Sequence, residues 1–90
     1  IYQSGVLLMS LSYGLPVIAS NLEANREIIT NNENGLLFDT NNSEHLAEKI
    51  NFLLSNNNLQ NKISTNAILT AQKYSWDKIA NSYKNLFFYE

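Results

Sequence analysis

Apolar residues fill nearly every position from 6 to 13, with only Ser10 and Ser12 interrupting. A helix that is apolar on all sides is buried on most of them. Gly14 fits the left-handed position just past a helix end. Leu15, Pro16, Val17, Ile18 and Ala19 then form a short continuous apolar run. That run suits a central parallel strand, with Pro16 confined to its start. Residues 25–30 read as a short helix with Asn25 as its N-cap. Asn34-Gly35 is a turn signal ahead of a second short strand, Leu36-Leu37-Phe38, and residues 39–42 are loop. Ser43 is expected to cap a helix whose Leu46, Ala47, Ile50, Leu53 and Leu54 share one face. The run Asn56-Asn57-Asn58 breaks that helix. Residues 59–72 form another, with Leu59, Ile63, Ala67 and Thr70 on one side. Ser75 is expected to cap a last helix that buries Trp76, Ile79, Ala80, Tyr83, Leu86 and Phe87.

The predicted order is helix, strand, helix, strand and three helices. Strands separated by helices imply a parallel sheet. Asn34-Gly35 could also join antiparallel strands as a hairpin, but the helical alternation ahead of it argues for the parallel arrangement. Two short strands make a weak sheet with open edges, so the pattern reads as part of a larger α/β domain.

Size and composition narrow this further. Ninety residues is at most one domain, and without cysteine there is no disulfide and no cysteine-based zinc site. A net charge of -2 argues against a general nucleic-acid partner, which usually meets a basic face. No apolar run approaches the ~20 residues that span a bilayer. The start, Ile1-Tyr2-Gln3-Ser4, has neither an initiator methionine nor a basic n-region, so it is not read as a signal peptide and looks internal to a longer protein. The asparagine clusters fall between apolar stretches and read as turns and caps.

The chemistry suggested by the residues centres on Ser4-Gly5. A helix entrance presents unpaired N–H groups and the positive end of the helix dipole, a natural seat for phosphate. Gly5 would let the backbone approach such a ligand, and Ser4 adds a hydroxyl. The pair also fits an ordinary N-cap followed by a permissive glycine. Glu23 and Glu27 are the carboxylates nearest the end of the first strand, where ligands bind in open α/β sheets. Glu27, in the first turn of the short helix, fits a solvated helix-start residue. Arg26 fits a phosphate contact or a plain surface residue. His45 has no ligand-forming partner at metal spacing and reads as surface. The stripe Trp76, Tyr83 and Phe87 reads as core or as an interdomain seam. No Ser/His/Asp set, P-loop, metal cluster or dinucleotide fingerprint is visible, so no cofactor is expected.

The order of motifs carries a resemblance. Gly14-Leu15-Pro16-Val17-Ile18-Ala19-Ser20, then Asn25-Arg26-Glu27-Ile28-Ile29, then Asn32-Glu33-Asn34-Gly35-Leu36-Leu37-Phe38, then the capped helix and Tyr74-Ser75-Trp76 resemble the C-terminal portion of group 1 glycosyltransferases. These are nucleotide-sugar-dependent enzymes of the GT-B fold. The resemblance implies an α/β fold, the second half of a Rossmann-like donor-binding domain with parallel strands and flanking helices. Residues 1–90 would then be a partial C-terminal domain, with the N-terminal acceptor domain and the first half of the donor domain lying elsewhere in the same protein.

The chain also departs from that pattern. Such enzymes often carry two glutamates eight positions apart around a glycine turn, just before the buried helix. Laid on this chain they fall on Ile1 and Met9, and neither is acidic. Gln3-Ser4-Gly5-Val6 stands in their place and resembles a branch in which a Ser-Gly pair opens the helix. Glu23-Ala24 replaces the usual Gly-Gly after the strand. The resemblance implies that Gln3, Ser4, Gly5, Val6 and Met9 line the donor diphosphate and ribose. It implies transfer of a hexosyl unit from a nucleoside-diphosphate sugar to a sugar or lipid-linked acceptor, in surface polysaccharide or glycoconjugate assembly. The setting would be cytoplasmic, at the inner membrane face. Catalytic residues are not assigned, and the chain by itself is expected to be inactive. Two other readings stay open: a non-catalytic transferase-like interaction module, and a nucleotide-sugar epimerase on the same scaffold.

Overall fold

A computed structural model describes the backbone of residues 2–83 and the side-chain surroundings of residues 5–78. The elements in order are α1 (Tyr2–Ser12), β1 (Ile18–Ser20), α2 (Glu23–Ile28), β2 (Leu36–Phe38), α3 (Ser43–Leu54) and α4 (Asn57–Tyr83). The strands are parallel, with Ile18 opposite Leu36, Ala19 opposite Leu37 and Ser20 opposite Phe38. The fold is α/β with parallel strands and flanking helices, as the order of elements implied.

Gly14 ends α1 in the left-handed region, at φ 71°. The N–H of Leu15 still reaches back to Ser10 O at 3.3 Å. Leu15 and Pro16 are therefore spent on the helix exit and stay exposed. Strand pairing begins only where Val17 O accepts from Leu36 N–H at 2.9 Å. The expected strand over residues 15–19 is corrected to Ile18–Ser20, with Pro16 outside it because it has no N–H to give.

The caps also differ from expectation. Asn25 does not cap α2, whose N-cap is Leu22 without a side-chain bond. The Asn25 amide turns back instead and donates to Ser20 O at 2.9 Å. Asn42, not Ser43, caps α3, its Oδ1 accepting from His45 N–H at 2.9 Å. Asn56 does end one helix and start the next, because its Oδ1 accepts from Leu59 N–H at 3.0 Å.

The expected pair of C-terminal helices is one helix of 27 residues. Nothing between Gln72 and Trp76 is a glycine or proline, so the backbone has no reason to stop, and Ser75 lies inside the helix. Tyr74 O–H anchors this stretch on Glu27 O at 3.1 Å. Trp76 is 71% exposed rather than buried. Ile79, Ala80, Tyr83, Leu86 and Phe87 lie outside the residues whose side chains are described.

Two small apolar cores share α4. Leu7, Leu11, Ile29, Ala67 and Ala71 form one, between α1, the end of α2 and α4. Leu36, Leu53 and Ile63 form the other, between β2, α3 and α4. The burial on most sides expected of α1 does not occur: Leu7 and Leu11 are buried, while Val6, Met9 and Tyr13 are exposed. Among the described elements α1 packs mainly on α4, and one helix can cover only one stripe of another. On α3, likewise, Leu53 is buried and Leu46 half-buried, but Ala47, Ile50 and Leu54 are exposed.

Candidate functional site

The parallel pairing places the carboxyl ends of β1 and β2, Ser20 and Phe38, at one edge of the sheet. The crevice outside such ends is where open α/β sheets bind ligands. Two open grooves meet here at Ser20. The first, of about 420 Å³, lies between α1 and the β1–α2 turn and is lined by Val6, Ser10, Val17, Ser20, Leu22 and Asn25. The second, of about 470 Å³, lies between the strand ends and the start of α3, with Ser20, Phe38, Thr40, Asn42 and Ser43 in its wall.

The local chemistry at Ser20 follows from the turn. Asn21 N–H continues the strand ladder to Phe38 O at 2.8 Å, and Leu22 N–H folds back on Ser20 O at 2.8 Å. The Asn25 amide nitrogen lies 2.9 Å from Ser20 O and 3.3 Å from Ser20 Oγ. Strand end and helix start are thus pinned to each other by one side chain. Arg26 is used locally: its guanidinium donates to Asn21 O at 2.7 Å. Because α2 begins at Glu23, Glu27 sits in the last turn and Glu23 takes the first-turn place expected for Glu27.

The starts of α2 and α3 follow directly from the carboxyl ends of β1 and β2. Helix α1 flanks the same edge, since Val6 and, from its last turn, Ser10 share a groove with Ser20 and Asn25. The entrances of α2 and α3 therefore gather where the strands end, and each contributes partial positive charge. Anionic ligands favour such an edge.

The five residues singled out for a donor site do not all meet. Helix α1 starts at Tyr2, so the N–H of Val6 faces the C=O of Tyr2 one turn back rather than a ligand. Val6 contributes its side chain to the β1-end groove. Gly5 and Met9 line a different groove, of about 430 Å³, against Ala71, Tyr74 and Lys78 of α4. Gln3 and Ser4 lie in the first turn of α1, outside the residues whose side chains are described. Ser20, Asn25, Thr40 and Asn42 were not singled out from the sequence as site residues. Their signal was positional: small polar residues directly after each short apolar strand.

His45, expected to be plain surface, closes the β2–α3 turn. Its Nδ1 accepts from Asp39 N–H at 2.8 Å.

Residues 5–70 match the family described as glycosyl transferases, group 1. The chain belongs to that family. This group 1 glycosyltransferase chain is 34% identical over 73 residues to an uncharacterized glycosyltransferase of Methanocaldococcus jannaschii, covering 81% of this chain and 21% of that protein. It is 27% identical over 82 residues to an uncharacterized glycosyltransferase of Haemophilus influenzae, covering 90% of this chain and 23% of that protein. It is 30% identical over 76 residues to the phosphatidyl-myo-inositol mannosyltransferase of Mycobacterium leprae, covering 84% of this chain and 20% of that protein. The chain thus spans about a fifth of the length of the curated relatives it matches. Among the described residues, no helix of this glycosyltransferase chain is long and apolar enough to cross a membrane.

Proposed function

We propose that this group 1 glycosyltransferase chain supplies part of the sugar-donor side of an enzyme that moves a hexosyl unit from a nucleoside-diphosphate sugar to an acceptor. The observation that carries the reading is the gathering of the α2 and α3 entrances at the carboxyl edge of β1 and β2, beside α1, with Ser20 shared between two open grooves. A departing diphosphate develops negative charge, and preoriented N–H groups at helix entrances stabilise it. Gln3 and Ser4, in the first turn of α1, are assigned to the diphosphate, with Gly5 giving the backbone room. Val6 walls the groove at Ser20, and Met9 is assigned to the ribose region from the separate groove on the α4 side.

One helix dipole contributes typically ~0.3–1 kcal/mol, whereas micromolar affinity needs about -8 kcal/mol. Further contacts must come from the rest of the donor domain and from an N-terminal acceptor domain of the same protein. The chain by itself is therefore expected to be inactive. The mannosyltransferase among its relatives supports a hexosyl unit and a lipid-linked or glycoconjugate acceptor. Assembly of surface polysaccharide or glycoconjugate at the inner membrane face fits this reading.

The test is an amide NMR titration with UDP and, separately, GDP. Selective shifts at Ser4, Gly5, Val6, Ser20 and Asn25 are expected, and the stronger ligand names the nucleotide. Shifts confined to the far side of α4 would overturn the assignment of these residues.

A further inference from the structure

The turn from β2 into α3 is held by three bonds that form a ring. Asp39 N–H donates to His45 Nδ1 at 2.8 Å. His45 N–H donates to Asn42 Oδ1 at 2.9 Å. Asn42 N–H donates to Asp39 O at 3.1 Å. Within the ring Asn41 has φ 62°, a left-handed conformation that a residue with a Cβ adopts at some expense. The ring holds the turn against that preference.

An imidazole nitrogen that accepts a hydrogen bond carries no proton, so this geometry selects the neutral tautomer with its proton on Nε2. Asp39 Oδ2 lies 3.5 Å from the same Nδ1. In the neutral tautomer that approach is not an ion pair. Once Nδ1 is protonated it can no longer accept from Asp39 N–H, and the carboxylate becomes the group it attracts. Both groups are within reach of water, the imidazole at 27% and the carboxylate at 66% side-chain exposure.

Among the described residues, the charged group recorded within 4 Å of the imidazole is Asp39. On α3 itself Glu44 adjoins it in sequence, and Glu48 and Lys49 follow one turn later. The strands packed against α3 carry no titratable side chain, being Ile-Ala-Ser and Leu-Leu-Phe. On α4 the first charged residue is Lys62, whose ammonium lies 3.4 Å from Glu33 Oε1.

We propose that His45 is a proton-operated latch: neutral, it holds the β2–α3 turn through the backbone of Asp39; protonated, it frees that N–H and pairs with the Asp39 carboxylate. Thr40, Asn41, Asn42 and Ser43 of this turn wall the groove beside Ser20 and Phe38. Opening the bond from Asp39 N–H to His45 leaves the two bonds of Asn42 to hold the turn, and the wall of the groove differs between the two forms of His45. The inference stands on the turn geometry and holds whatever ligand the groove takes.

His45 is the only histidine, so ¹⁵N-histidine labelling gives a single imidazole to follow by NMR from about pH 8 to about pH 5. At the upper end the expected species has its proton on Nε2, with the Asp39 amide shifted downfield and slow to exchange. On acidification the amide shifts of residues 39–43 should follow the imidazole titration curve. In His45→Asn, the side-chain Oδ1 takes the place of Nδ1 as an acceptor that does not titrate. The turn should keep its high-pH shifts and lose that pH dependence. In Asp39→Asn the protonated imidazole loses its partner, so the low-pH amide shifts of residues 41–43 should differ from those of the parent. An imidazole protonated on Nδ1 at pH 8, or an Asp39 amide that stays still while the imidazole titrates, overturns the latch. Low-pH shifts at residues 41–43 that are the same in Asp39→Asn as in the parent overturn the pairing with the carboxylate.

Discussion

The hydroxyl of Ser64 donates to the carbonyl oxygen of Gly14 at 2.7 Å, joining the exit of α1 to α4 across a separation of 50 residues. The carbonyl is presented there because Gly14 turns left-handed at φ 71°. A Cβ at Gly14 would lie 3.0 Å from both Ser64 Oγ and Ile68 Cδ1. Gly14→Ala should therefore destabilise the chain by about 1–2 kcal/mol from backbone handedness alone. Ser64→Ala should cost about 1 kcal/mol for the lost bond. Urea unfolding of both variants checks this, and a Gly14→Ala midpoint equal to that of the parent would contradict it.

Gly35 is constrained by space rather than handedness. An added Cβ would sit 3.0 Å from Ile29 Cδ1 and 3.1 Å from Val17 O. Val17 O cannot withdraw without loosening its bond from Leu36 N–H at 2.9 Å. Gly35→Ala is expected to cost about 1–3 kcal/mol by overpacking. Ile29→Val removes the nearest of the three crowding atoms, Cδ1, so in the double variant the Gly35→Ala penalty should shrink. Denaturation of the four proteins in that cycle gives the coupling, and strict additivity would argue against shared crowding.

Asn34 is buried and fully engaged. Its Oδ1 accepts from Thr30 N–H at 2.8 Å, and its Nδ2 donates to Ile28 O at 2.9 Å and to Thr70 Oγ1 at 2.9 Å. Asn34→Ala leaves those groups short of a partner and should cost about 1–3 kcal/mol. Asn34→Asp keeps the acceptor but loses both donors and buries a charge, so it should be no better tolerated. Circular dichroism against urea separates the two. A pair of variants as stable as the parent would show that solvent replaces the lost bonds freely.

The α4 face that joins both cores should dominate stability. Ile63 is fully buried against Leu36 and Leu53, and Ile63→Ala is expected to cost about 2–5 kcal/mol. Leu69, on the opposite side and 57% exposed, should change stability by about 0.5 kcal/mol or less when cut to alanine. Thermal melts of both distinguish a one-sided helix from one clasped on every face.

Much of this arrangement could be read along the chain, and what could not has local causes. Gly14, the Asn34-Gly35 turn, the parallel order of the strands and the Ile63–Ala67 stripe are fixed by backbone conformation or helical spacing, which sequence displays directly. Cap residues were less legible, since Asn42 and Ser43 are both good N-caps and the choice falls on whichever the turn geometry favours. At the join between Gln72 and Trp76 two signals compete: Ser75 is a good N-cap, while the lack of glycine or proline lets the helix run on. The Tyr74 anchor on Glu27, a tertiary contact, favours the continuous helix. At the site, the gathering of helix entrances follows from parallel topology. The separation of Val6 from Gly5 and Met9 depends on how α1 is rotated against α4, and the nearly uniform apolar character of α1 conceals that rotation.

Helix α4 has a mechanical consequence. Its 27 residues rise about 40 Å, yet the described core contacts hold it mainly between Leu59 and Ala71. Trp76 lies 13 residues beyond Ile63, or about 20 Å along the axis, with its indole exposed. Beyond Ala71 the Tyr74 bond to Glu27 O steadies the helix, which runs on to Tyr83, about 18 Å from Ala71. A tilt of about 5° at Ala71 then arrives at Tyr83 as a displacement of about 1.5 Å. The helix works as a pointer, with its base set by α1 and α3 and an exposed indole partway along it.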